Sequence, residues 1–233
     1  MGSVSMVGDF ESFKAGLSLS KAEICRELYR ENRELVRIKK EHVAVRNLVR
    51  IIDSTLTLTN LKGFHAMSLR DLSADSGLSI GGLYAYIRNK EDLIHLIQHH
   101  GFRLTRRTLH ACTQGIDDPR EKLLAAVRAH IYLSELLQPW FYFSFMETKS
   151  LPEKQKKEAI AVELEVEDFL CTIIDTGIAS KAFREVDARL LASVCKAMMQ
   201  DWYLKRRKYR NQQVEATGYA DFIGSMLARY LWA

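Results

Sequence analysis

Several groupings of residues have types and spacing suited to chemistry, and each would do something different. His95 and His99 stand four apart, as do Glu163 and Glu167. On a helix each pair shares a face and could give a metal ion two ligands. Neither has a recognisable third ligand in the sequence, so both are expected as surface pairs, with no metal and no other cofactor. Cys25, Cys112, Cys171 and Cys195 are scattered without a CxxC pair, the pattern of reduced packing cysteines. The sequence holds no G-x-S-x-G elbow, no phosphate-cradling glycine loop and no nucleophile–base–acid set. It therefore nominates no catalytic residue and predicts a protein that is not an enzyme.

A different chemistry is available between residues 68 and 90. Ser68, Arg70, Ser79, Tyr84, Tyr86 and Lys90 carry hydroxyl, phenol, guanidinium and ammonium groups over a short stretch. Such groups, with exposed backbone N–H at helix starts, meet phosphate oxygens and base edges. For Tyr84 and Tyr86 the competing expectation is that the rings simply pack. Charge agrees with a polyanionic partner: residues 36–110 hold 12 Lys and Arg against 6 Asp and Glu, a balance of +6. Residues 1–35 balance at −1 and residues 111–233 at 0. A local basic excess suits DNA, although a solvated basic face would look the same.

The elements that must position these groups are helical. Only Pro119, Pro139 and Pro152 interrupt 233 residues, of which 47% are hydrophobic and 27% charged, and alternating strand patterns are absent. Apolar residues recur at helical spacing from Ser20 to Leu58, through Ile24, Leu28, Leu35, Ile38, Val45, Leu48, Ile52 and Leu56. This predicts one long helix, or two with a joint near Lys39 and Lys40, closed by Gly63. Ser68 then caps a short helix from Leu69 to Ser76, Gly77 breaks it, and Ser79 opens another through Tyr86. Ala74, Leu78 and Leu83 would lock the two together, which makes a helix-turn-helix. Asn89 caps the next helix. Further on, Asp118-Pro119-Arg120-Glu121 and Ser150-Leu151-Pro152-Glu153 read as helix starts and Gly177 as a helix end. A long helix is expected from Asp187 to about Arg210 and a last one from Tyr219 to Trp232. The total is nine or ten helices.

Residues 51–93 carry a more specific pattern. Ile51-Ile52-Asp53, Gly63-Phe64, Ser68-Leu69-Arg70-Asp71-Leu72, Ala74, Ser76-Gly77-Leu78-Ser79, Gly81, Leu83-Tyr84, Tyr86 and Asn89-Lys90-Glu91-Asp92-Leu93 together resemble the DNA-binding domain of the tetracycline-repressor (TetR) family. The resemblance implies an all-α homodimer with a three-helix helix-turn-helix head and a divergent C-terminal helical domain for ligand and dimer contacts. On this basis residues 1–40 form an N-terminal helical extension, 41–110 the DNA-binding domain and 111–233 the effector and dimerisation domain. Ser68, Arg70, Ser79, Ile80, Gly81, Gly82, Tyr84, Tyr86 and Lys90 become the candidate DNA-binding residues, and double-stranded operator DNA the partner. The chain departs from the family at Ile87, where an aromatic residue is usual, and in a recognition helix that opens Ile80-Gly81-Gly82. Few side chains there can make bidentate base contacts, so readout is expected to use backbone, thymine methyls or DNA shape. The extension exceeds what usually precedes this domain. Its end, Arg37-Ile38-Lys39-Lys40 with Arg46, offers either extra phosphate or minor-groove contacts or a solvated face.

Beyond residue 111 the resemblance is one of helical layout. The run from Leu137 to Met146 is dense in aromatics and could line an effector pocket or fill a core. The run from Met198 to Tyr209 is similar to the penultimate helix of members that sense fatty acyl-CoA or related lipophilic ligands. Trp140, Phe141, Phe145, Trp202, Tyr203 and Arg206 are thus the candidate ligand-binding residues, with Arg206 or Arg207 on an anionic head. Apolar positions at Leu190, Leu191, Val194, Ala197 and Met198, and at Phe222, Ile223, Met226, Leu227 and Leu231, predict dimerisation through the last two helices. No apolar run is long enough to span a bilayer, and the first residues lack a basic segment followed by an apolar one. The expectation is a cytoplasmic, ligand-responsive repressor with no membrane partner. The alternative is an enzyme or a helical binding module that uses the same head for protein contact.

Overall fold

A computed structural model of the protein describes residues 8–17, 20–151 and 153–232. Among these residues there are twelve α-helices: α1 (Phe10–Gly16), α2 (Lys21–Glu31), α3 (Glu41–Lys62), α4 (Leu69–Ser76), α5 (Ile80–Leu83), α6 (Glu91–Thr113), α7 (Pro119–Leu136), α8 (Gln138–Glu147), α9 (Glu153–Ala179), α10 (Ala188–Leu204), α11 (Arg206–Asn211) and α12 (Ala216–Leu231). One 3-10 turn spans Thr148–Ser150, and a single isolated bridge pairs Phe183 with Trp232. The all-α expectation holds, with more helices than the nine or ten expected. Among the described residues no helix is long and apolar enough to cross a membrane.

The extra helices come from breaks that local chemistry explains. The stretch from Ser20 is two helices. Asn32 ends α2 by turning its side-chain amide onto the Leu28 carbonyl at 2.9 Å, and the chain stays irregular until α3 begins at Glu41. Likewise the expected helix from Asp187 to Arg210 stops at Leu204 and restarts as α11. The last helix starts at Ala216, so Thr217 and Gly218 lie inside it rather than before it. Gly177 does not end α9. It sits inside the helix, where the Phe183 ring comes so close that a Cβ would stand 2.1 Å from it. Pro152, expected in the first turn of α9, lies outside the described residues.

The described chain divides into two compact units that do not follow its linear order. The first, residues 20–101 with 143–159, contains the helix-turn-helix. In it α2 lays Ile24, Cys25, Leu28 and Tyr29 against α3, whose Ala44, Leu48, Ile51 and Ile52 are buried in turn. These recur at three and four residues, the period of a buried helix stripe. The second unit, residues 8–17, 102–142 and 160–232, packs α7 against α10 and α12. Its stripes are Ala192, Cys195, Met199 and Trp202 on α10 and Ala220, Ile223, Leu227 and Leu231 on α12. α1 belongs to this unit: Phe10 and Phe13 meet the Tyr132 ring edge-on at 5.6 and 5.5 Å. The extension therefore contributes one helix to each unit.

Candidate DNA-binding face and effector region

The helix-turn-helix is built by caps. Ser68 closes a capping box with Asp71 at the start of α4, and its hydroxyl and backbone N–H both donate to the Asp71 carboxylate, at 2.7 and 2.8 Å. Lys62 adds an ion pair at 2.8 Å, and hydrogen bonds from Lys62 and Ser68 hold the Asp71 carboxyl well below the usual carboxylate range. Gly77 ends α4 in the left-handed region at φ +66°, where a side chain is strained. The Ser73 hydroxyl fastens the turn by donating to the Leu78 carbonyl at 2.6 Å. Ser79 then accepts from the Gly82 N–H at 3.1 Å and opens α5.

α5 is one turn long. The expected continuation through Tyr86 fails because Gly81 and Gly82 favour the extended chain, and the backbone tightens after Leu83. Ala85 N–H goes to Gly82 O and Tyr86 N–H to Leu83 O, three residues back. Leu83 is fully buried and pins this turn to the core, while Ile80 and Tyr84 are 38% and 46% exposed. Arg70, Ser79 and Gly81 are exposed as well.

Two sequence-nominated residues take other roles. Tyr86 does not project: it is buried, and its hydroxyl accepts from the Asn47 side-chain amide at 2.9 Å. Burial raises its pKa. Lys90 does not hold a free ammonium: Nζ donates to the carbonyls of Phe64, His65 and Met67 at 2.9, 3.1 and 3.1 Å and lies 4.8 Å from the centre of the Phe64 ring. All three of its donors are engaged in pinning the loop before α4. Asn47 and Arg50 were not singled out from the sequence. Arg50 reaches across to Gly77, where a Cβ would meet its guanidinium at 2.4 Å. Polar residues on the α3 face opposite its apolar stripe were the available signal.

In the second unit the sequence-nominated ligand residues mostly form a closed core. Trp202 is fully buried, stacked on Tyr219 at 4.8 Å and close to Tyr209 at 5.2 Å. Tyr203 is buried against Phe141 at 5.2 Å, and Trp140 is buried too. Arg206 is not a waiting cation: it grips Glu135 through two hydrogen bonds, at 2.6 and 2.9 Å, and its guanidinium lies 4.4 Å from the Trp202 ring centre. Phe145 is assigned to the other unit and is 40% exposed. Its distance from Trp202 in sequence hid that division.

Two groups that the sequence pattern did not single out are more telling. Lys196 is buried on the α10 stripe and pairs with Glu163 of α9 at 3.4 Å, with Gln200 bonded to the same carboxylate oxygen. Burial lowers the Lys196 pKa and Glu163 opposes that. His130 of α7 is buried, burial holds it neutral with a pKa of about 3, and its Nδ1 has no hydrogen-bond partner among the described residues. A charge or imidazole at a stripe position, such as Lys196 between Ala192 and Met199, is the signal that pattern reading could have used. Separately, a cavity of about 270 Å³ opens between α6 and α9, lined by Phe102, Arg106, Leu109, His110, Val162, Glu165, Val166, Asp168, Phe169 and Thr172. None of the six nominated ligand residues lines it. Among the described residues no group of three metal-ligating side chains converges, and His95 and His99 stay a pair with ring centres 5.6 Å apart.

Residues 51–97 match the family model for bacterial regulatory proteins of the tetR family, and residues 116–227 match that for the tetracyclin repressor-like C-terminal domain. The chain belongs to the TetR family. It is a DNA-binding regulator of that family, responsive to a small molecule. No curated protein matches it in sequence. Among solved structures it resembles the TetR family regulator PfmR from Thermus thermophilus, with 26% identity, 78% of this chain and 98% of that one covered, and a TM-score of 0.70. It shares the fold of AibR, solved with isovaleryl coenzyme A and operator DNA, at 24% identity, 78% and 97% coverage and a TM-score of 0.68. It also shares that of FadR from Bacillus subtilis, solved with stearoyl-CoA, at 18% identity, 76% and 96% coverage and a TM-score of 0.63. Homodimerisation and operator binding are typical of the family.

Proposed function

We propose that this TetR-family chain is a repressor that binds its operator as a homodimer and leaves it when its second compact unit, residues 102–142 and 160–232 with α1, takes up a lipophilic anion. The observation that carries the DNA half is the capped turn that exposes Ile80, Ser79 and Tyr84 above a buried Leu83. Ser68, Arg70, Ser79, Ile80, Gly81, Gly82 and Tyr84 make the DNA face, and Tyr86 and Lys90 hold it in shape.

The dimer surface is proposed on α10 and α12. Leu190 and Val194 are 61% and 46% exposed, one helical turn apart, and on α12 Phe222, Met226 and Tyr230 repeat that spacing in the open. Apolar stripes left outside the unit's own core are what a two-fold four-helix interface would cover. A dimer also fits a palindromic operator.

The effector is proposed to lie in the cavity between α6 and α9. Leu109, Val162, Val166 and Phe169 offer its chain an apolar wall, and burial contributes about 25 cal/mol per Å². Arg106, now paired with Glu165 at 3.3 Å, would take the anionic head. The acyl-CoA ligands of AibR and FadR support this ligand class for the shared fold. Titrating stearoyl-CoA, isovaleryl-CoA and free fatty acids against a fluorescent protein–DNA complex tests the reading. Release by at least one ester, abolished in Val166→Trp with DNA affinity retained, is the expected result. Lack of release by any of them removes the lipophilic effector.

A further inference from the structure

We infer that residues Arg37–Lys40 form a preordered basic arm that clamps backbone phosphates flanking the operator, an addition to the helix-turn-helix contacts and dependent on the DNA-binding reading above. The need for such an arm is visible in the recognition turn. α5 reads Ile-Gly-Gly-Leu and is followed by Tyr84, Ala85, Tyr86 and Ile87, so it brings no charge to a polyanion. Arg70 on α4 is exposed and, among the described residues, in no ion pair, but the other neighbouring cations are already engaged: Lys62 on Asp71, Arg88 on Asp92, Lys90 on three carbonyls, and Arg26 and Arg30 on Glu41. Phosphate neutralisation supplies much of the affinity of a DNA-binding protein, and one arginine provides little of it, so most has to come from elsewhere.

The arm has the required chemistry and position. Arg37, Lys39 and Lys40 are exposed, and among the described residues no ion pair holds any of them. The segment is nevertheless fixed. Its Val36 is buried, and the hydroxyl of the buried Tyr29 donates to the carbonyls of Ile38 and Lys39 at 2.9 and 3.1 Å. The Arg37 backbone N–H donates to the Ala85 carbonyl at 2.8 Å, which ties the arm to the residue after Tyr84. Three free cations are thus held beside the end of the recognition turn at little further cost in ordering entropy. Arg46 and Arg50, exposed one turn apart on α3 and also without ion pairs among the described residues, continue the basic surface.

The test uses a duplex that the intact protein selects from a randomised pool. Its binding is followed against salt for the wild type, for the combined Arg37→Ala, Lys39→Ala, Lys40→Ala variant, for Tyr29→Phe and for Tyr84→Ala. Removing one cation from a phosphate lowers the log–log salt slope by about 0.9, so the triple variant is expected to be shallower by roughly 2.7 per protomer. Hydroxyl-radical protection should disappear at the outer edges of the site and persist at its centre, with the thermal melt unchanged. Tyr29→Phe should give a smaller change in the same direction, because the charges remain and their anchor is loosened. An unchanged slope and footprint in the triple variant, with Tyr84→Ala still weakening binding, overturns the arm alone. Weaker binding to heparin with operator affinity intact also overturns it, since the arm would then attract any polyanion. Failure of the intact protein to enrich a duplex overturns the DNA-binding reading and the arm together.

Discussion

The helix-turn-helix unit and the second unit are both built of α-helices under the same packing rules, yet they carry their polar groups differently. In the head, function sits on short-range chemistry: a Ser cap, a left-handed glycine, another Ser cap and one buried leucine place Tyr84 within a span of about twenty residues. In the other unit the buried polar groups His130 and Lys196, with Lys196's partner Glu163, come from three helices far apart in sequence. The difference teaches that a site made of backbone turns is written in consecutive residues, whereas a site made of facing helices exists only after packing.

Leu83→Ala tests the head's dependence on one anchor. It should destabilise that unit by about 3–5 kcal/mol, the cost of a cavity under the recognition turn. Tertiary signals of the head should be lost in denaturant well before those of the other unit. Equal loss in both would erase the contrast.

The Lys196–Glu163 pair tests the other side. Glu163→Gln leaves a buried ammonium without its counter-charge, and because the carboxylate is partly exposed the expected loss is about 1–3 kcal/mol. Lys196→Met removes the buried charge and should be near neutral or stabilising. Chemical denaturation of both variants checks this asymmetry; similar losses would mean the pair is simply a surface bridge.

Lys90→Ala separates positioning from contact. Three carbonyls lose their donor, so a stability loss of about 1–2 kcal/mol is expected together with weaker DNA binding. Had Lys90 served only a phosphate, as its sequence position implied, the salt slope would fall and the melt would not move.

Acid titration gives a smaller effect with a definite sign. His130 is held neutral in the folded unit with a pKa of about 3, against an ordinary 6.5. Above pH 6.5 it is neutral in both states and stability is unaffected. As pH falls from 6.5 toward 3 the unfolded chain takes up the proton and the folded one does not, so stability declines. Replacing His130 with Gln should shrink the loss between pH 7.5 and 5.5 by about 1 kcal/mol. A parallel decline in wild type and variant would move that titration elsewhere. Tyr84→Phe is the mildest change: with an exposed ring it should leave the melt alone and weaken DNA binding by roughly 2- to 10-fold, one hydrogen bond's worth.

How far the sequence could be read follows the same division. Ser68, Gly77, Ser79 and Asp118 act through neighbours within four residues, and the structure has them capping or breaking helices as expected. Tyr86 and Lys90 were misplaced because their partners, Asn47 and the carbonyls around Phe64, are more than twenty residues away. Gly177 looked like a stop because glycine ends helices in isolation, but here the Phe183 ring needs the missing side chain. Trp202 and Arg206 looked like a ligand site because aromatics and cations stood side by side. Glu135, on another helix, neutralises that cation, and only tertiary structure shows it.

The central claim is that Ser79, Ile80 and Tyr84 present a DNA-reading face on a two-fold dimer. Native mass spectrometry of the protein with its selected duplex tests it most directly, combined with footprinting of the same complex. Two chains per duplex, with paired protections centred about 34–36 Å apart or a multiple of that, are the predicted result. One chain per duplex, or a pool from which no sequence is enriched over bulk DNA, would contradict it.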